Sequence, residues 1–203
     1  MTTKKQEKIK FSKAFWVANT VELFERAAYY GVFIVITLYL SRILGFNDIQ
    51  AASIAGIFSA CLYLLPTFAG ALADKIGFRN SMLLAFTLLT CGYLGLAVYP
   101  TWLQSAGLVE YSTTTTFTGL LESNLQYGII PIMALIVCGG AFIKSVISGT
   151  VAKETTPETR AKGFSIFYAM VNIGAFSGKT IVKPLREAAA IASCDSVTES
   201  VRM

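Results

Sequence analysis

Five stretches of predominantly apolar residues constrain this chain more than any other feature, at about 14–41, 51–73, 80–99, 127–150 and 162–183. Each is near or above the ~20 residues that a helix needs to cross a hydrocarbon core. Only 14% of the residues are charged, too few to cover a soluble domain of 203 residues, and 54% are hydrophobic. Mean hydropathy is +0.59. Backbone polar groups in lipid must be satisfied within the segment, so the predicted fold is all-α and polytopic. The first stretch is too long and too charged for a cleavable leader. The chain therefore divides into a basic tail over 1–13, a transmembrane bundle over 14–185, and a polar tail over 186–203.

Start and stop signals agree with this division. Asn47 or Asp48 can cap the second helix, and Thr156-Pro157-Glu158 has the order of an N-cap, an N1 proline and an acidic first turn. Pro100 is expected to close the third span, while Pro66 and Pro131 fall inside spans. Basic residues gather on one side. Lys4, Lys5, Lys8, Lys10 and Lys13 precede the first span, Lys75 and Arg79 lie in the 2–3 loop, and Lys153, Arg160 and Lys162 lie in the 4–5 loop. The other side has Arg42 alone before the chain's last segment, and the 3–4 loop, about 100–126, has neither Lys nor Arg. The positive-inside rule places the N-terminus in the cytoplasm and the 3–4 loop outside, with Trp102 and Tyr111 as interface anchors. The net charge of +5 is thus a property of cytoplasmic loops rather than of a nucleic-acid-binding face.

Several chemistries are not expected. The chain has no His, and its cysteines, Cys61, Cys91, Cys138 and Cys194, form no C-x-x-C pair. No metal site, disulfide framework or nucleophile–base pair emerges, so neither an enzyme nor a cofactor is implied.

The charged residues inside spans carry the functional signal. Glu22, Glu25, Arg26, Tyr29 and Tyr30 recur at helical spacing on one face of the first span. At ~1.5 Å per residue, Glu22 to Arg26 lie roughly 12–18 Å past the span's start. Each charge at such depth costs at least ~2.5–3.5 kcal/mol to insert, so the group must face a polar cavity or partners. Lys144, in the inward-running fourth span, sits roughly 10 Å above its cytoplasmic end, near the depth of Glu22. Two acids and two bases make a neutral set, and protonating one carboxylate would free Arg26 or Lys144 for an anionic group of a solute. The structural alternatives are an ion pair that locks helices together and a lysine that snorkels to the interface. Gly70, Asp74, Gly77 and Arg79 mark the 2–3 loop as a tight turn suited to a conformational latch, with a plain hairpin as the alternative. Phe164, Phe167, Tyr168 and Asn172 form a second stripe, on the fifth span, and Gly174 and Gly178 form a G-x-x-x-G close-packing pattern.

The segment from Gly70 to Arg79 resembles the cytoplasmic 2–3 loop of the major facilitator superfamily. Glu22-x-x-Glu25-Arg26-x-x-Tyr29-Tyr30-Gly31 resembles the first-helix motif of the proton-dependent oligopeptide transporters. Phe164-x-x-Phe167-Tyr168-x-x-x-Asn172-x-Gly174 is similar to their fifth-helix motif, and Lys144 falls where they have a fourth-helix lysine. Ala27, Ser145 and Ala175 depart from the pattern. The resemblance, over about residues 14–186, implies a proton-coupled symporter of a small solute, peptide or amino-acid-like, with di- and tripeptides among the candidates. It implies proton coupling at Glu22 and Glu25, and solute binding by Arg26, Tyr29, Tyr30, Lys144 and Asn172. Transport in such folds uses 3+3 repeats and an opposing bundle. Five spans leave the second triplet one short, so the chain is expected to be the N-terminal portion of a longer protein in the inner or plasma membrane. Two other functions remain open: a different facilitator, such as an exporter, and a non-transporting membrane or assembly protein.

Overall fold

A computed structural model describes residues 11–107 and 124–202. The described residues form five long helices: α1 (Lys13–Leu38), α2 (Asp48–Ile76), α3 (Phe78–Ser105), α4 (Ile129–Lys153) and α5 (Arg160–Arg202). A π-helical turn, Tyr39–Ile43, extends α1, and a 3-10 turn, Asn124–Gly128, leads into α4. With these extensions, α1 to α4 are long and apolar enough to cross a membrane, with mean hydropathies of 1.4, 1.7, 1.9 and 2.1. At 43 residues α5 has ample length. Its middle is more polar, carrying Ser165, Asn172, Ser177 and Lys179.

The helix ends follow local chemistry. Asn47 is the cap of α2: its Oδ1 accepts from Gln50 N at 2.8 Å, and Gln50 Oε1 accepts from Asn47 N at 3.3 Å. This reciprocal box satisfies two backbone donors that a helix start leaves unpaired. Gly77 is the whole connection between α2 and α3, at φ 88° and ψ 152°. That region is essentially restricted to glycine. The expected 2–3 loop is therefore a single residue, with Gly70 and Asp74 in the last turns of α2 and Arg79 in the first turn of α3.

Two expectations are corrected. Pro100 does not end α3, which continues to Ser105. A proline leaves the carbonyl four residues earlier without its helical donor. Here that carbonyl, Leu96 O, accepts from Tyr39 Oη at 2.7 Å, so the helix passes through Pro100 with its free acceptor satisfied. Pro131 lies inside the fourth span as expected, as the third residue of α4, where no intrahelical donor is required. Thr156-Pro157-Glu158 does not open α5 directly. Thr156 O accepts from Thr159 N at 3.0 Å and Arg160 N at 2.8 Å, forming a turn one step ahead of the helix. At the other end α5 runs unbroken to Arg202, through the segment expected as a polar tail.

The chain forms two units. One comprises Val35–Gly149 and contains α2, α3 and most of α4. Within it, Gly92 and Gly95 of α3 pack against Ile136 and Ile132 of α4, and Gly139 of α4 packs against Ala85 and Leu89 of α3. Rising numbers meet falling numbers, so α3 and α4 are antiparallel. Leu62 of α2 meets Gly140, and Pro66 and Gly70 meet Ser145, so α2 and α4 run parallel. Ser145 Oγ donates to Pro66 O at 2.6 Å and to Ala141 O at 2.9 Å, tying α4 to α2 at the proline. At the far end of this unit, Tyr99 Oη donates to Leu125 O, and Phe46 meets Tyr127 edge-on at 5.4 Å.

The other unit comprises residues 1–34 and 150–203, and so joins the first part of α1 to α5. Gly163 lies against Phe15, Gly174 against Leu23, Gly178 against Ala27, and Val182 against Gly31. The numbers rise together, so α1 and α5 are parallel. This is the relative direction expected of a first and a fifth span in the five-span topology read from the sequence.

Candidate functional site

Within the unit of α1 and α5, the buried face of α1 reads Phe15, Asn19, Glu22, Glu25, Arg26, Tyr29. Glu22 retains 1% of its surface, Glu25 8% and Arg26 3%, so three ionisable side chains are held away from solvent inside one helix. The guanidinium is shared between the carboxylates. Its Nε and Nη2 both lie 2.5 Å from Glu25 Oε2, and Nε is 3.4 Å from Glu22 Oε1. Ionised, the trio carries one net negative charge, and one proton makes it neutral. Buried charges persist only when paired in this way.

The tyrosines continue the chain of contacts. Arg26 Cζ is 5.0 Å from the Tyr29 ring centroid. Tyr29 meets Tyr30 edge-on at 5.1 Å and stacks on Phe33 at 5.5 Å. A guanidinium over an aromatic face is attracted by the ring quadrupole, so Tyr29 helps to hold Arg26 against the two acids.

Helix packing sets this geometry. Side chains larger than glycine at 174 and 178 would run into the α1 backbone. A Cβ at Gly174 would meet Leu23 O, and one at Gly178 would stand 2.9 Å from Ala27 C. The G-x-x-x-G pattern thus acts as a close-packing seam, placing α5 directly beside the charged segment of α1.

The other expected site residues lie elsewhere. Lys144, half-buried in the second unit, holds its Nζ 4.4 Å from the ring centroid of Tyr63, across from α4 on α2. Asn172 is exposed on α5, as is Tyr168, whereas Phe167 of the same motif is buried against both Phe164 and Tyr168. Asp74 and Arg79 are exposed on either side of Gly77.

Two polar residues at the site did not emerge from the sequence. Asn19 is fully buried one turn before Glu22; its Nδ2 donates to Phe15 O at 2.8 Å, and its Oδ1 has no hydrogen-bond partner among the described residues. Its offset of three from Glu22 puts it on the charged stripe, which was the available signal. Lys179 of α5 holds its Nζ 4.8 Å from the Tyr30 ring centroid. Its signal was weaker, a lone cation one residue after Gly178 in an apolar stretch.

Four apolar helices of spanning length, with a paired Glu–Glu–Arg set buried inside the first, define a multi-pass membrane protein with a polar interior. The chain belongs to the Major Facilitator Superfamily, whose family profile matches residues 18–182. Among curated proteins it is similar to dipeptide and tripeptide permease A of Salmonella typhi and of Salmonella typhimurium. Each is 31% identical over 171 residues, covering 81% of this chain and 29% of the relative. The Serratia proteamaculans permease of the same name is 29% identical over 170 residues, covering 81% of this chain and 28% of the relative. The chain thus spans less than a third of the length of these relatives. No solved structure matches it significantly.

Proposed function

We propose that the chain supplies one helical bundle of a proton-coupled symporter for small peptides, with its N-terminus in the cytoplasm of a cell membrane. An opposing bundle would rock against it around a mid-membrane site. Glu22 and Glu25 carry the proton. Arg26, Tyr29, Tyr30, Lys144 and Asn172 bind the solute, and Gly70, Asp74, Gly77 and Arg79 form a cytoplasmic latch at the α2–α3 junction.

The observation that carries this reading is Arg26 shared between two buried carboxylates. Protonating Glu25 removes the charge that the guanidinium bonds at 2.5 Å. Arg26 then has capacity for the carboxylate of an incoming solute, to which its planar fork is suited. Solute and proton bind together because each makes room for the other. The match to peptide permeases supports the solute class, and the reading agrees with the sequence motifs.

The test is uptake into liposomes by the complete gene product, driven by an inward proton gradient, with a labelled dipeptide. Uptake that collapses with the gradient, and falls at least tenfold in both Glu22→Gln and Lys144→Ala, is the expected outcome. Unchanged uptake in both variants would exclude the coupling role.

A further inference from the structure

Lys179 stands outside the proton-coupling scheme, yet it lies against the same tyrosine pair. We infer that Lys179 is a second cationic anchor of the site, which selects solutes bearing an additional anionic group such as an acidic side chain. The inference rests on the peptide-symport reading and deepens it.

Gly178 packs on Ala27, and this fixes the level of Lys179, the next residue, beside Tyr30. The helical pitch then decides which flank of the seam Lys179 occupies. Viewed down α1, Tyr30 lies roughly 60° from Ala27 on the side of Arg26, while Phe24 and Ala28 lie on the opposite side. Phe24, at 68% exposure, and Ala28 form an open apolar face suited to lipid. Tyr30, half-buried, stands between the seam and the charged stripe. A lysine whose Nζ rests on Tyr30 is therefore on the charged flank rather than the lipid flank.

The contacts are continuous: Lys179 on Tyr30, Tyr30 on Tyr29, Tyr29 on Arg26, each at about 5 Å between centres. Two cations thus flank one aromatic pair. They differ in what occupies them. Arg26 is neutralised by Glu22 and Glu25, whereas Lys179 makes no ion pair among the described residues. Nor is it at the helix rim, because α1 continues from Tyr30 through Ile43, about 20 Å further along its axis. A cation at that level is costly in lipid unless it meets a polar cavity or an anion. An anionic group of the solute, stacked along Tyr30, satisfies it without disturbing the Arg26 trio.

The test compares alanyl-glutamate with alanyl-glutamine in the complete protein in liposomes, for the unmutated form, Lys179→Met and Lys179→Arg. Lys179→Met is expected to raise KM for alanyl-glutamate about tenfold, the scale of one lost charged hydrogen bond. KM for alanyl-glutamine and the maximal rates of both solutes stay within twofold, and Lys179→Arg restores the preference. Preserved alanyl-glutamine uptake also establishes that the Met variant folds. Equal changes for the two solutes, or none, overturn the inference alone. An unmutated protein that takes up neither solute counts against the peptide reading, and the inference falls with it.

Discussion

Arg26 is the residue on which the site depends. Its guanidinium is almost fully buried and is offset by carboxylates on its own helix, so the trio assembles within a single element. Removing Arg26 leaves two uncompensated buried carboxylates, a loss of about 3–5 kcal/mol. Arg26→Met is therefore expected to lower the melting temperature of the purified protein markedly, and combining it with Glu22→Gln and Glu25→Gln to recover most of the loss. Equal destabilisation in the single and triple variants would show that packing, not charge, sets the effect. This cluster was legible in the sequence because helical spacing alone puts the three groups on one face. Asn19 shares the stripe, but a single amide near a span's start carries little signal by itself, and its burial is a tertiary fact. By sequence Lys179 falls just inside the fifth span, but its place beside Tyr30 depends on the α1–α5 register, which the G-x-x-x-G pattern announces but does not align.

At the level of elements, glycines divide into those that hold helices together and those that do not. Gly178→Leu is expected to force α5 off Ala27, and to reduce both folded yield and uptake. Gly56→Ala, with nothing within 4 Å of the added methyl, should leave both unchanged. Gly77→Ala puts a Cβ into a glycine-only conformation at the one-residue α2–α3 link, at a cost of about 1–3 kcal/mol, readable as a lower melting temperature. Four of the five apolar runs coincide with helices long and apolar enough to cross a membrane. Their ends were less legible, because partners distant in sequence decide them. Pro100 has the appearance of a terminator, but Tyr39, 57 residues away from Leu96, supplies the donor that lets α3 continue. The more polar middle of α5 explains why its apolar character is the weakest of the five.

For the whole molecule, helix directions within each unit agree with alternate crossing: α1 parallel to α5, α2 parallel to α4, α3 antiparallel to α4. The proposed orientation, N-terminus in the cytoplasm, rests on the distribution of Lys and Arg and is testable. In a cysteine-free background, Lys75→Cys is expected to react with a membrane-impermeant thiol reagent only from the cytoplasmic side, and Thr115→Cys only from outside. The reverse pattern would invert the topology and move the proton entry side.

In the proposed mechanism the Glu22–Glu25–Arg26 cluster couples a proton to a solute. The most direct measurement separates exchange from accumulation in liposomes containing the complete protein with Glu25→Gln. Counterflow exchange of labelled dipeptide is expected to persist while accumulation driven by the proton gradient is lost. Gradient-driven accumulation at the unmutated rate would contradict the mechanism.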